Sequence, residues 1–211
     1  MRREGEPSAP EERELAEARH ELPSRAGSER RPRAPDGPPG PPEEEYERAR
    51  EICLRQLSYS ARTRSQLATA MRRRGVDEMV AAEVLSRFEA VGLIDDAAFA
   101  AAWVDSRHRG RGVGPRKIAQ ELRIRGIAPD LTAATVDEIK PEEQRATARA
   151  LVEQRLAQTR DHPAPARAQR LVGLLGRKGY PPSVAYEVVR EALAAKGVEL
   201  PEPAEAPDPV D

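Results

Sequence analysis

Aromatic residues are scarce in this 211-residue chain, at 3%, with one Trp, two Phe and four Tyr. So few rings cannot supply the stacked platforms of a surface that binds unpaired bases, because apolar stripes claim Phe88, Phe99 and Trp103 first. A single cysteine, Cys53, excludes an internal disulfide, and its neighbours Ile52 and Leu54 point to a buried reduced thiol. The histidines His20, His108 and His162 stand too far apart for metal-ligand spacing. The glycines show no phosphate-loop pattern, because no Gly-Lys-Ser/Thr closes one. No Ser-His-Asp arrangement can be nominated, and the adjacent acids Asp95 and Asp96 read as a helix cap rather than a carboxylate pair. No catalytic residue, cofactor or metal is therefore expected. A membrane span needs roughly 20 consecutive apolar residues, which the chain lacks. The charged N-terminus also lacks the apolar core of a signal peptide. The expectation is a cytoplasmic protein with no membrane association.

What is abundant is charge and proline, unevenly placed. Residues 1 to 44 hold nine prolines, eight Arg and eleven acids, with almost no Val, Ile, Phe or Leu. Such a segment buries too little apolar surface to offset its ordering entropy, and reads as a disordered tail. Residues 198 to 211 form a second, Pro-rich tail with five acids and no base. Between them, residues 45 to 197 carry 27 bases and 20 acids, a net charge of +7 within a chain whose total is -1. A basic folded part favours an anionic partner.

An internal repeat organises this folded part. Ser65 to Gly75 is echoed by Arg116 to Gly126 and by Gln169 to Gly179, with glycines 51 and 53 residues apart. Each copy sets two apolar residues four apart, namely Leu67 and Met71, Ile118 and Leu122, Leu171 and Leu175. Each ends in a base followed by Gly, as a left-handed helix cap requires, with the base facing the negative helix end. A second amphipathic helix follows every copy, carried by Val80, Val84, Leu85 and Phe88, then by Leu131, Thr135, Val136 and Ile139, then by Val184, Val188, Val189 and Leu193. Further amphipathic stretches precede the copies at Tyr46 to Leu57, Asp96 to Arg107 and Glu142 to Gln158. Strand-like alternation is absent. The expected fold is all-α, an elongated array of three tandem three-helix repeats at 45 to 94, 95 to 140 and 141 to 197, with hinges at 91 to 94 and near 140.

Seven bases cluster between residues 107 and 125, against one acid in that window, Glu121. Five of them are the candidate contacts Arg107, Arg109, Arg111, Arg116 and Lys117. They flank Gly110, Gly112 and Gly114, a loop that leads into a helix starting at Pro115. Backbone amides freed by glycine, with the positive end of a helix behind them, suit a phosphate or carboxylate. Arg72, Arg73 and Arg74 form a second candidate cluster, at the end of the equivalent helix of the first repeat.

The stretch Gly92-Leu93-Ile94-Asp95-Asp96, with Phe99-Ala100, Trp103-Val104 and Ser106-Arg107, resembles the signature of the RecX family of bacterial recombination regulators. Gly112-Val113-Gly114-Pro115-Arg116-Lys117-Ile118, with Glu121-Leu122 and Arg125-Gly126-Ile127, is similar to the next part of that pattern. The likeness spans about residues 46 to 195 and is strongest in the middle repeat. It implies a non-enzymatic protein, expected to act as a monomer. Its implied partner is the RecA nucleoprotein filament, in whose groove it lodges to restrain filament growth, strand exchange, ATP hydrolysis and coprotease activity. Single- or double-stranded DNA is a secondary contact under this reading. The alternative is a free-standing helical-repeat protein that binds DNA or RNA by itself, recognised by steep salt dependence without RecA. Deleting residues 1 to 44 is expected to leave the thermal transition nearly unchanged in a circular-dichroism melt, because the segment has no apolar stripe with which to dock.

Overall fold

The structure is a computed structural model that describes residues 43–159 and 162–198, and among these it contains α-helices and no strand. The chain divides into two compact units at Asp95 and Asp96. The expected tails fall mostly outside the described residues. Glu43 and Glu44 do not, because they open the first helix, where acids meet the positive helix end.

The first unit is a trio, α1 (Glu43–Tyr59), α2 (Arg64–Arg72) and α3 (Glu78–Ala90). Each pair of the three is in contact. Ile52, Cys53, Leu67, Met71, Val84, Leu85 and Phe88 fill the space between them. Thr63 and Gln66 form a reciprocal capping box at the start of α2. Asp77 caps α3 by accepting from the amides of Met79 and Val80, while its own amide donates to Glu45 Oε1 at 2.9 Å, tying α3 to α1. Cys53 is fully buried with Sγ 3.6 Å from Met71 Sδ, and burial pushes its thiol up to about 11.

The second unit holds two further trios. One comprises α4 (Asp96–Asp105), α5 (Pro115–Ile124) and α6 (Pro129–Asp137), and the other α7 (Pro141–Leu156), α8 (Ala164–Lys178) and α9 (Pro182–Ala194). Pro115, Pro129, Pro141 and Pro182 each open a helix, where the missing N–H costs nothing and the fixed φ is already helical. Part of the chain's high proline content is therefore helix punctuation. α4 ends earlier than its apolar pattern suggests, because the chain widens into a π-helical turn at Ser106–Gly110. Val198, read as the start of the acidic tail, instead packs against the α7–α9 core, and its amide donates to Leu193 O at 3.1 Å.

The base-plus-glycine signature has one structural meaning in all three trios. Gly75, Gly126 and Gly179 are left-handed, with φ of 71°, 78° and 91°. The residue after each glycine donates back to the carbonyl five residues earlier, Val76 to Met71, Ile127 to Leu122 and Tyr180 to Leu175, at 3.0–3.2 Å. This double closure satisfies the last carbonyls of the helix and folds the following apolar side chain into the core. Val76, Ile127 and Tyr180 are accordingly 7%, 3% and 2% exposed.

The third of these caps also closes the second unit. Gly114 N donates to Lys178 O at 2.7 Å and Arg116 N to Gly179 O at 3.2 Å, so the loop before α5 lies backbone to backbone against the end of α8. Tyr180 Oη donates to Gly112 O at 3.2 Å and Lys178 Nζ to Arg111 O at 3.0 Å. Residues 96–198 are thus cross-tied by their main chains around the position near 140 where a hinge was expected.

Side-chain absence makes this approach possible. A Cβ on Gly114 would lie 2.5 Å from Gly179 C, and one on Gly179 would lie 2.5 Å from Lys117 Cβ. A Cβ on Gly75 would meet nothing within 4 Å. Gly75→Ala should therefore cost only its left-handed strain, about 1–2 kcal/mol. Gly114 is extended with φ of -79°, so Gly114→Ala carries no such strain and tests contact alone. Its fall in thermal midpoint should exceed that of Gly75→Ala, with equal falls counting against the junction.

Candidate partner interface

The basic segment of the second unit runs through the π-helical turn, crosses the glycine loop and enters α5. Its cations occupy three different environments. Arg107 lies against Trp103, its guanidinium carbon 4.5 Å from the ring centroid, and Nε sits 3.0 Å from Glu121 Oε2. The same carboxylate oxygen accepts from Trp103 Nε1 at 2.9 Å. Arg125 closes over the same ring at 3.6 Å while donating to the backbone carbonyl of Glu121 at 3.0 Å. Phe99 stacks alongside, with centroids 5.9 Å apart and planes 9° from parallel. Burial lowers the proton affinity of Arg125 from its ordinary value, Glu121 opposes that shift, and the like charge of Arg107 adds to it. Two guanidiniums therefore share one indole, Arg107 pairing with the Glu121 carboxylate and Arg125 with its backbone carbonyl, a geometry in which cation–π attraction holds α4 to α5.

Arg109 is occupied differently. It donates to Asp105 Oδ1 at 2.5 Å and to Glu143 Oε1 at 2.7 Å, linking the π-helical turn to α7. That guanidinium holds the Glu143 carboxyl below its ordinary range. Next to it, His108 is 1% exposed. Its Nδ1 lies 2.9 Å from Val113 O and so carries a proton, since a carbonyl can only accept. Its Nε2 faces Thr147 Oγ1 at 3.4 Å. The sequence reading took His108 as one of three isolated histidines. The residues it joins, Val113 and Thr147, lie on either side of the junction, and no local pattern announces them.

The loop between them holds no anion cradle. Gly112 N donates to His108 O, Val113 N to Arg107 O, Gly114 N to Lys178 O, Arg116 N to Gly179 O and Lys117 N to Gly114 O, while Pro115 has no N–H to offer. The amides read as a phosphate cradle are satisfied by the protein's own carbonyls. Side chains remain. Arg111 is half-buried, whereas Arg116 and Lys117 are exposed on the first turn of α5 and make no ion pair with any described residue. In the first unit Arg72, Arg73 and Arg74 are exposed at the end of α2, Arg74 returning to Ala70 O at 3.1 Å.

Comparison with known proteins places this arrangement. The family model for RecX, first three-helix domain, matches residues 49–88, and that for RecX, second three-helix domain, matches residues 95–136. The regulatory protein RecX of Thermobifida fusca is 51% identical over 179 residues, spanning 85% of this chain and 96% of the relative. The chain belongs to the RecX family. The RecX of Streptomyces coelicolor is 50% identical over 151 residues, 72% of this chain and 80% of that one. A solved RecX from Lactobacillus salivarius, 19% identical, has the same fold with a TM-score of 0.67 over 71% of this chain and 97% of its own. A second RecX crystal structure, 28% identical, superposes with a TM-score of 0.63 over 70% and 72%. RecX relatives carry the name of regulatory proteins. Among the described residues of this RecX chain, no helix is long and apolar enough to cross a membrane.

The Trp103 cluster yields a test of which unit depends on what. Trp103 is 8% exposed and belongs to the core of the α4–α6 trio, so Trp103→Ala should cost roughly 3–5 kcal/mol. The first unit keeps its own core and its buried Cys53. Alkylation of Cys53 by iodoacetamide should stay slow at temperatures where the variant has already lost part of its helical signal. Loss of helix and of Cys53 protection in one step would show that the two units melt together.

Proposed function

We propose that this chain binds RecA nucleoprotein filaments and restrains their growth, recombinase, ATPase and coprotease activities, acting as a cytoplasmic monomer without chemistry of its own. What carries the reading is the 51% identity to a regulatory protein RecX along 96% of that relative's length. The contact surface assigned to it is cationic, and the eight candidate residues divide in role. Arg116 and Lys117, with Arg72, Arg73 and Arg74, present exposed charge to the partner. Arg107, Arg109 and Arg111 hold the segment that presents Arg116 and Lys117. An anionic protein surface or the phosphates of the bound strand would be drawn to such charges, most strongly at low salt.

Charge reversal separates these roles. Arg116→Glu with Lys117→Glu removes two attractive charges and adds two repulsive ones, while exposed charges contribute little to folding. Inhibition of RecA ATP turnover on single-stranded DNA should weaken at least tenfold, which takes only about 1.4 kcal/mol of lost binding, at an unchanged thermal midpoint. Lys178 is unsuitable for a control reversal, since its side chain and carbonyl both serve the junction. Arg123→Glu, exposed near the other end of α5, is the control. Undiminished inhibition by the double variant would overturn the assignment of the α5 surface. Full binding to DNA with no effect on RecA would favour the free-standing nucleic-acid reading.

A further inference from the structure

The α7–α9 trio carries a cationic cleft that the proposed function does not use. It has a volume of about 440 Å³ and is lined by Arg155, Gln158, His162, Arg170, Leu174 and Arg177, with no acid among its described lining residues. Arg170 and Arg177 are exposed two turns apart on one face of α8, about 10.5 Å along the axis at 1.5 Å per residue. Arg177 lies back along that face, with Nη1 3.3 Å from the position a Cβ of Gly173 would take. Arg155 joins them from the last turn of α7 and donates to Gln158. Neither Arg170 nor Arg177 makes an ion pair with a described residue.

Beyond Val198 the sequence places acids at every third position, Glu199, Glu202, Glu205, Asp208 and Asp211, with Pro201, Pro203, Pro207 and Pro209 between them. Proline favours the polyproline II conformation, which repeats every three residues with a rise of about 3.1 Å. In that conformation all five carboxylates share one edge, about 9.3 Å apart, close to the spacing of Arg170 and Arg177. The segment also starts in the right neighbourhood. Lys196, two residues before Val198, lines a second depression of about 810 Å³ together with Leu156, Ala157, the bases Arg149 and Arg167 and the acids Glu153 and Glu191, of which Glu191 is paired with Arg149. Leu156 and Ala157 are the chain neighbours of Arg155 and Gln158, so both depressions border the C-terminal end of α7. Thirteen residues in polyproline II reach about 40 Å, enough to pass that helix end.

We propose that the acidic segment 199–211 docks across this end of α7 into the cleft of Arg155, Arg170 and Arg177, and so competes with any other anion for the third trio. A nucleic-acid strand would suit the charge of the cleft equally well. The three-residue register and the tether, which keeps the segment at high effective concentration, favour the chain's own acids.

The full-length protein tests this by cleavage with a glutamate-specific protease, following the Glu199–Leu200 and Glu205–Ala206 bonds by mass spectrometry. Docked carboxylates are shielded, so both cuts should be about fivefold slower at low salt than at 1 M salt. Arg170→Glu with Arg177→Glu should abolish that protection at low salt. Arg72→Glu with Arg73→Glu in the first unit should retain it. A synthetic peptide of residues 199–211 should bind the double variant less well than a chain cut after Glu199, and a scrambled peptide should bind that cut chain less well than the native order does. Equal cleavage of wild type and the α8 double variant at low salt would overturn the proposal. If that variant instead lost only affinity for a single-stranded oligonucleotide, the cleft would be a nucleic-acid site and the proposal would likewise fall. None of these readouts involves RecA, so the proposal stands or falls apart from the regulatory reading.

Discussion

The second unit depends on one backbone contact, the meeting of Gly114 with Gly179. Two main-chain hydrogen bonds cross it, and the tyrosine hydroxyl and lysine ammonium that flank it also end on carbonyls. Backbone groups this close have no room for a side chain on either partner, and an unpaired buried amide or carbonyl carries a desolvation cost of about 1–3 kcal/mol. The junction therefore has little freedom to slip. It holds the glycine loop in place, and the loop in turn sets the direction of the first turn of α5. The exposure of Arg116 and Lys117 is a consequence of how Gly114 is held from behind.

Charge in the same region has the opposite character from the one its density suggests. Counted along the chain, Arg107 to Arg125 is overwhelmingly basic. Counted in space, Arg107 and Arg125 share Trp103 and Glu121, and Arg109 is divided between Asp105 and Glu143. Asp105 and Glu143 lie outside the sequence window in which the charges were counted. The exposed charge of this segment without a described ion pair narrows to Arg116 and Lys117 on the first turn of α5 and, near its other end, to Arg123. A half-buried guanidinium over an indole has already lost much of its hydration, and it would have to leave its ring before meeting another anion.

This contrast explains what was legible in the sequence. The trios were legible because each is local. The apolar pair four residues apart, the base, and the left-handed glycine lie within eleven consecutive positions, and the structure places Gly75, Gly126 and Gly179 in the same conformation. The helix start at Pro115 was legible for the same reason. The glycine loop was read as an anion cradle because two of the carbonyls that occupy its amides belong to Lys178 and Gly179, more than sixty residues away, and the others come from the loop's own turn. Glycine in a loop signals close approach by something, and local sequence does not say whether that is a ligand or the chain itself. His108 escaped notice because its partners, the backbone carbonyl of Val113 within the loop and the hydroxyl of Thr147 on α7, follow no local side-chain pattern.

A single repeated slot shows how similar units become a joined pair. The residue after the capping glycine is Val76 in the first trio, Ile127 in the second and Tyr180 in the third, and in each it folds into its own core. Val and Ile end there. Tyr180 extends further and brings a hydroxyl to Gly112 O, and burial pushes the phenol well above its ordinary value, so it remains a neutral donor. A buried phenolate would face a carbonyl oxygen without a proton between them, which is why the upward shift and the hydrogen bond act in the same direction. The three trios keep a common helix-ending device because that device is a backbone requirement. They diverge in the one side chain it exposes to a neighbour, and in the third trio that divergence supplies one of the side chains that secure the junction.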